Sequence, residues 1–206
     1  MIGTPETTAA PTAPQTKVQL RREERTAEIV SAAWKLAREE GVAGISLHGV
    51  AREVGMRQPS LYSYFDSKHA LYDAMFADGN RRLLARIEAL DLPDDPREAL
   101  KVHTREFVQF SLDHPEVNPL LFQRTIPGFE PSASSYALAQ QVLDGSIALM
   151  RAAGITDPGD IDCSIAMIGG LLAAQLSNEP GGDRWVRHLD RLVDLFVDDA
   201  HSRSAA

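Results

Sequence analysis

Val54-Gly55-Met56-Arg57-Gln58-Pro59-Ser60-Leu61-Tyr62-Ser63-Tyr64-Phe65 is the stretch on which the fold of this chain turns. Before it, Ser46 can cap a helix with Leu47, Val50, Ala51 and Val54 on one face, a helical spacing. Gly49 stands where a capping box needs an acid or amide, so the cap is a simple one. Gly55 supplies the left-handed backbone that ends such a helix. Pro59 suits the first turn of the next, where a missing N–H costs little. Leu61 and Phe65, four apart, are expected to pack inward, leaving Gln58, Ser60, Tyr62 and Tyr64 facing out. Two short helices joined by a tight turn, the second offering polar and aromatic groups at its start, have the form of a helix-turn-helix.

The flanks agree. Residues 22–40 carry an apolar stripe of Ile29, Ala33, Leu36 and Ala37, closed by Gly41. After Phe65, Asp66 or Ser67 can cap a fourth helix with Lys68 in its first turn. Helix N-terminal N–H groups with a lysine make a phosphate clamp. Arg57, in the turn, is placed to reach a base or a phosphate, the phosphate being the favoured reading.

Residues 26–76, about a quarter of the chain, resemble the DNA-binding domain of the TetR family of transcriptional regulators. The pattern reads T-A-E-I-V-S-A-A-W-K-L-A-R-E-E-G, then S-L-H-G-V-A-R-E-V-G-M, then L-Y-S-Y-F-D-S-K-H-A-L, the last being the most specific. The resemblance implies that Gln58, Ser60, Tyr62 and Tyr64 occupy recognition-helix positions. It likewise implies that Ser46 and His48 are contacts at the start of the preceding helix, and that Lys68 is the phosphate-binding lysine. His48 departs from the arginine of some relatives and is a weaker, pH-dependent donor.

Formal net charge is −8, which for the whole chain argues against a nucleic-acid binder. The charge is unevenly divided. Residues 1–70 hold nine Lys and Arg against eight Asp and Glu, and residues 71–206 hold twelve against twenty-one. The acidity thus lies away from the proposed DNA end. Residues 1–20 are expected to form a disordered tail, the first sixteen rich in Thr, Ala and Pro and lacking a signal-peptide core. Lys17, Arg21, Arg22 and Arg25 follow as a basic arm that could lie along DNA or simply be solvated. One cysteine fits a reducing cytoplasm, and Cys163 reads as a small buried hydrophobe. No apolar run approaches twenty residues, so no membrane span is expected.

From residue 71 to 206 helical patterns alternate with Pro and Gly punctuation, and no strand alternation is visible. The expected class is therefore all-α. A three-helix DNA-binding domain over 21–70 is followed by a helical effector-binding and dimerisation domain over 71–206. The penultimate helix, within 157–178, is apolar around much of its circumference and slim through Ala166, Gly170, Ala173 and Ser177. Together with Trp185, Leu189, Leu192 and Phe196 on the last helix, these residues are the candidate dimer interface. Phe107, Phe110, Leu121, Phe122, Tyr136, Met150, Met167 and Gln175 are the candidate ligand contacts, with plain core as the blander reading of most. Gln175, an amide in an apolar helix, wants a partner across the interface or on a ligand.

No H-E-x-x-H, C-x-x-C or G-x-S-x-G pattern occurs, so neither catalysis, a metal nor a cofactor is expected. The resulting expectation is a cytoplasmic homodimeric repressor of a near-palindromic DNA operator, released by a small, mostly apolar effector. The competing class is an all-helical binding protein or enzyme whose first domain is only structural.

Overall fold

The computed structural model describes residues 16–204, and among these it forms nine α-helices and no strand. The helices are α1 (Lys17–Glu40), α2 (Leu47–Glu53), α3 (Gln58–Leu61), α4 (Lys68–Glu88), α5 (Pro96–Asp113), α6 (Asn118–Leu121), α7 (Ala133–Ala152), α8 (Pro158–Asn178) and α9 (Leu189–Ser204). The expected tail lies outside the described residues up to residue 15. Its last part does not: Thr16 and Gln19 form a reciprocal capping box, so residues 17–20 are the first turn of α1 rather than tail.

Local chemistry explains most boundaries. Ser46 Oγ accepts from Gly49 N at 3.0 Å, and Ser67 Oγ from Ala70 N at 3.0 Å. Gly55 has φ +64°, and Met56 N donates to Ala51 O (2.8 Å) while Gly55 N donates to Arg52 O (3.2 Å). Those two bonds close α2 in the paired form that a left-handed glycine allows. Asp95, Ser132 and Asp157 cap α5, α7 and α8 in the same way as Ser46.

One apolar cluster runs from α1 (Ile29, Ala33, Trp34) through α2 (Val50), Leu61 and Phe65 to α4 (Leu71, Met75, Leu83), and on to Phe110, Val117 and Val142 of the body. The boundary expected at residue 70 therefore falls inside α4, a single helix that roots both parts in one core. Trp34 Nε1 donates to Asp78 Oδ2 at 2.9 Å, pinning α1 to α4. Where α4 meets α6, a Cβ on Gly79 would lie 2.9 Å from Leu121 Cδ1, so a larger residue there would have to push the Leu121 side chain aside.

In the body, α7 packs on α4 and α5, and α9 packs on α5 and α8. A second cluster joins Leu100, Met150, Ile155, Ile161, Val193 and Val197, and a third joins Val108, Leu172 and Leu189. Helix α8 is long and apolar enough to cross a membrane by length and composition, contrary to the reading of the sequence. Its acidic first turns, serines and Gln175 interrupt the apolar run without lowering the average enough to exclude it.

Candidate nucleic-acid interface and cavity

The helix-turn-helix is built around two anchors. Leu61 is fully buried and Phe65 nearly so, which turns the intervening side chains outward. His48, Arg57, Gln58, Ser60 and Tyr62 are all exposed, as expected of contacts. Tyr64 is not. It is half-buried against the core, with the Arg22 guanidinium 5.1 Å from its ring centre, so it supports the motif from behind. Arg22 also donates to Ser63 O (2.7 Å) and Arg25 to Val54 O (3.0 Å). Two members of the expected basic arm therefore tie α1 to the motif, while Lys17 and Arg21 remain exposed on the first turns of α1.

Two expected contacts already have employment within the chain. Ser46 is exposed, but its hydroxyl caps α2. Lys68 donates to Ala43 O at 2.9 Å and lies 5.3 Å from the Tyr72 ring centre. An ammonium has three donors, so a phosphate can still share it.

A cavity of about 640 Å³ opens in the body between α5, α7 and α8, with α4 and α6 contributing. Five of the expected ligand contacts line it: Phe107, Leu121, Phe122, Tyr136 and Met150. Three do not. Phe110 is fully buried in the main core, and Met167 is 45% exposed on the outer side of α8. Gln175 is fully buried and satisfied within the chain, its Nε2 donating to Glu179 O and its Oε1 accepting from Trp185 N at 2.9 Å. Its task is to brace the α8–α9 corner.

Sequence reasoning missed the polar wall. Asn80, His103, Thr104, Asn118 and Ser146 all line the cavity. The signal for His103 was present, since Leu100, His103, Thr104 and Phe107 follow one helical face. Ser146 Oγ lies 2.8 Å from His103 Nε2 and 3.1 Å from Val142 O, so it bridges the ring to the α7 backbone. Burial pushes the His103 pKa down, keeping the ring neutral. Asn118 Nδ2 donates to Ser111 O (3.0 Å) and Pro115 O (3.2 Å). His103 Nδ1 and Asn118 Oδ1 are buried without partners.

Beside Asn118 the body meets the N-terminal helices. The Glu116 carboxylate, 1% exposed, accepts from Arg38 of α1 at 2.7 Å. Burial opposes its ionisation, but the hydrogen bond and charge of Arg38 hold the Glu116 carboxyl below its ordinary range. Arg82 of α4 meets His114 Nε2 at 3.0 Å next door, and burial first, then the Arg82 charge, lowers the His114 pKa.

Outside, α8 is barely covered: only 22% of its apolar window is buried. Cys163, Ala166, Gly170, Ala173 and Ser177 are all exposed and recur at alternating steps of three and four. That is the spacing of a helix–helix seam. Cys163 is thus exposed, not buried, because it stands on this seam. A Cβ on Gly169 or Gly170 would meet nothing within 4 Å, so packing within the chain does not require either glycine. The α9 half of the expected interface is different. Leu189 is buried in the chain's own core, and Trp185, Leu192 and Phe196 are half-buried, Phe196 against the second cluster. The apolar face of α9 folds partly onto its own α5 and α8, leaving Trp185, Leu192 and Phe196 half-exposed.

Residues 29–75 match the family model described as bacterial regulatory proteins, tetR family. The HTH-type transcriptional repressor DrrR1 of Streptomyces coeruleorubidus is 33% identical over 145 residues, which are 70% of this chain and 49% of that protein. This chain thus spans about half the length of that relative. The tetracycline repressor protein class A from transposon 1721 of Escherichia coli is 26% identical over 164 residues, covering 76% and 69% of the two chains. A tetR-family transcriptional regulator from Streptomyces coelicolor shares the fold at a TM-score of 0.69 and 19% identity, over 89% of this chain and 82% of that one.

Proposed function

Since the chain belongs to the TetR family of bacterial regulatory proteins, we propose that it is a DNA-binding transcriptional repressor, not an enzyme, working in the cytoplasm as a homodimer released by a small effector. The observation that carries the reading is the helix-turn-helix itself. Leu61 and Phe65 are anchored, and His48, Arg57, Gln58, Ser60 and Tyr62 stand exposed around the short α3. Gln58 and Tyr62 are the proposed base readers, with Ser60 and His48 beside them. Arg57 and Lys68 meet phosphates, and Ser46 contributes only as the cap that sets α2.

The α8 seam seats a second copy, so two recognition helices face one duplex and the operator is a near-palindrome. The cavity accepts the effector. Asn118 in its wall holds the corner that carries Glu116, and Glu116 grips Arg38 of α1, so this junction is the route by which occupancy of the body is felt at the DNA end. The shift can be no larger than the effector's preference between the two states.

The test is selection of bound sequences from a random duplex library, followed by gel shift. A two-fold symmetric site bound by the dimer is the expected result. Recovery of no preferred sequence would end the reading.

A further inference from the structure

Resting on the reading of Lys68 as a phosphate contact, we propose that the segment between α6 and α7 is a strap that places Lys68 on DNA, with Phe129 acting through Tyr72 as the positioning residue. The Phe129 ring seats against α4. Its centre lies 6.1 Å from that of His69, 5.7 Å from Tyr72 and 6.5 Å from Phe76, which stand at i, i+3 and i+7 of one helical stripe. The approaches to His69 and Tyr72 are edge-on, a favoured geometry of aromatic pairs. The chain is anchored on both sides of this ring. Before it, Gly128 has φ +71° and Phe129 N donates to Ile126 O (3.3 Å), a tight turn whose Ile126 packs on the main core. After it, the Asp73 carboxylate of α4 accepts from Ser132 N (2.7 Å), Ser132 Oγ (2.9 Å) and Ser135 Oγ (2.9 Å).

Tyr72 is where this grip meets the DNA end. It is buried, and its hydroxyl donates to Val42 O at 2.8 Å. The Lys68 ammonium lies 5.3 Å from the same ring centre and donates to Ala43 O, the next carbonyl, at 2.9 Å. A lysine is a compact charge on a flexible four-carbon stem, so a fixed ring and one carbonyl decide where that charge stands and where its two remaining donors point. Without Phe129 the Tyr72 ring loses one of the walls that hold it, and Lys68 loses the surface that orders it. A purely packing role for Phe129 would change stability alone. A positioning role also changes how many phosphates the protein neutralises.

The slope of log affinity against log salt counts those phosphates, at about 0.9 per contact on duplex DNA. It is measured by fluorescence anisotropy on the full chain with its selected duplex, for the unmutated protein, Lys68→Ala, Phe129→Ala and the double variant. Lys68→Ala should lower the slope by about one unit. Phe129→Ala should lower it by at least about half a unit and weaken binding at least about threefold. In the Lys68→Ala background the same change should cost less than about twofold, because residues that act as one unit are not additive. Where Phe129→Ala does not fold, Phe129→Leu, which keeps apolar bulk without the ring, is read by the same two criteria. An unchanged slope in the folded Phe129 variant, or an equal loss with and without Lys68, overturns the strap while leaving Lys68 on its phosphate. An unchanged slope in Lys68→Ala overturns the phosphate reading and the strap with it. Selection of no preferred duplex overturns the reading of the protein as a repressor.

Discussion

Helices α1 and α8 are similar in length, 24 and 21 residues, yet their apolar surfaces meet different fates. α1 is mixed, with charges on one side and Ile29, Ala33, Leu36 and Ala37 on the other, and its own chain covers that stripe completely. α8 is much the more apolar, yet its own chain buries only Ile161, Ser164, Leu172 and Gln175 and leaves Ala166, Met167, Gly170 and Ala173 in the open. A stripe states where a neighbour must be, whereas apolarity all round states only that several neighbours are needed. One short chain supplies enough for the first helix and too few for the second.

The strongest way to break that contrast is Ala173→Trp. If a second copy covers α8, the bulky ring should yield monomers by light scattering with unchanged helicity. Losing the linked second site should lower operator affinity by about 10²- to 10⁴-fold. A dimer that persists with full affinity would mean that α8 is uncovered for another reason.

The converse change falls on α1. Ile29→Ala removes a fully buried side chain and should destabilise the chain by about 2–5 kcal/mol in urea titration, without changing how folded protein associates. A stability loss well below 1 kcal/mol would show that the α1 stripe is not the anchor of the N-terminal core.

A smaller effect separates the anchors from the surface they present. Gln58→Ala should cost about 1–3 kcal/mol of specific DNA binding while leaving stability and dimerisation alone. Tyr64→Ala, from beneath the motif, should lower both stability and DNA binding. Equal thermal stability for the two variants would return Tyr64 to the outer surface.

The smallest effect distinguishes the body by pH. The pKa values of His103 and His114 are both lowered in the folded chain, burial being the larger cause in each. The unfolded chain therefore binds more protons below the ordinary histidine value of about 6.5. Stability present above that value should decline as pH falls through it. Urea midpoints at pH 7.5 and 5.5 should differ in that direction, and less so in His103→Leu. A midpoint that rises on acidification would contradict the neutral assignment of both rings.

The ends of the elements, and with them the helix-turn-helix, were legible in the sequence because they are decided within a few residues. Ser46 and Ser67 cap, Gly41 and Gly55 stop, and Pro59 fits a first turn whatever lies elsewhere in the chain. Leu61 and Phe65 were readable as inward for the same reason, four residues apart beside a fixed turn. The side that each remaining group faces was not so fixed. Tyr64 is held in by Arg22, 42 positions earlier, and Gln175 is satisfied by the backbone that follows the next turn. Leu189 is buried by α5 and α8, while Cys163 is left out because no helix of the chain arrives over it. The cavity, with His103 and Asn118 in its wall, exists only where five helices fail to close on one another. Caps and turns are set by local backbone geometry, which the sequence determines directly. Burial, unpartnered polar atoms and empty space are set by which distant helices meet, and only the tertiary structure decides that.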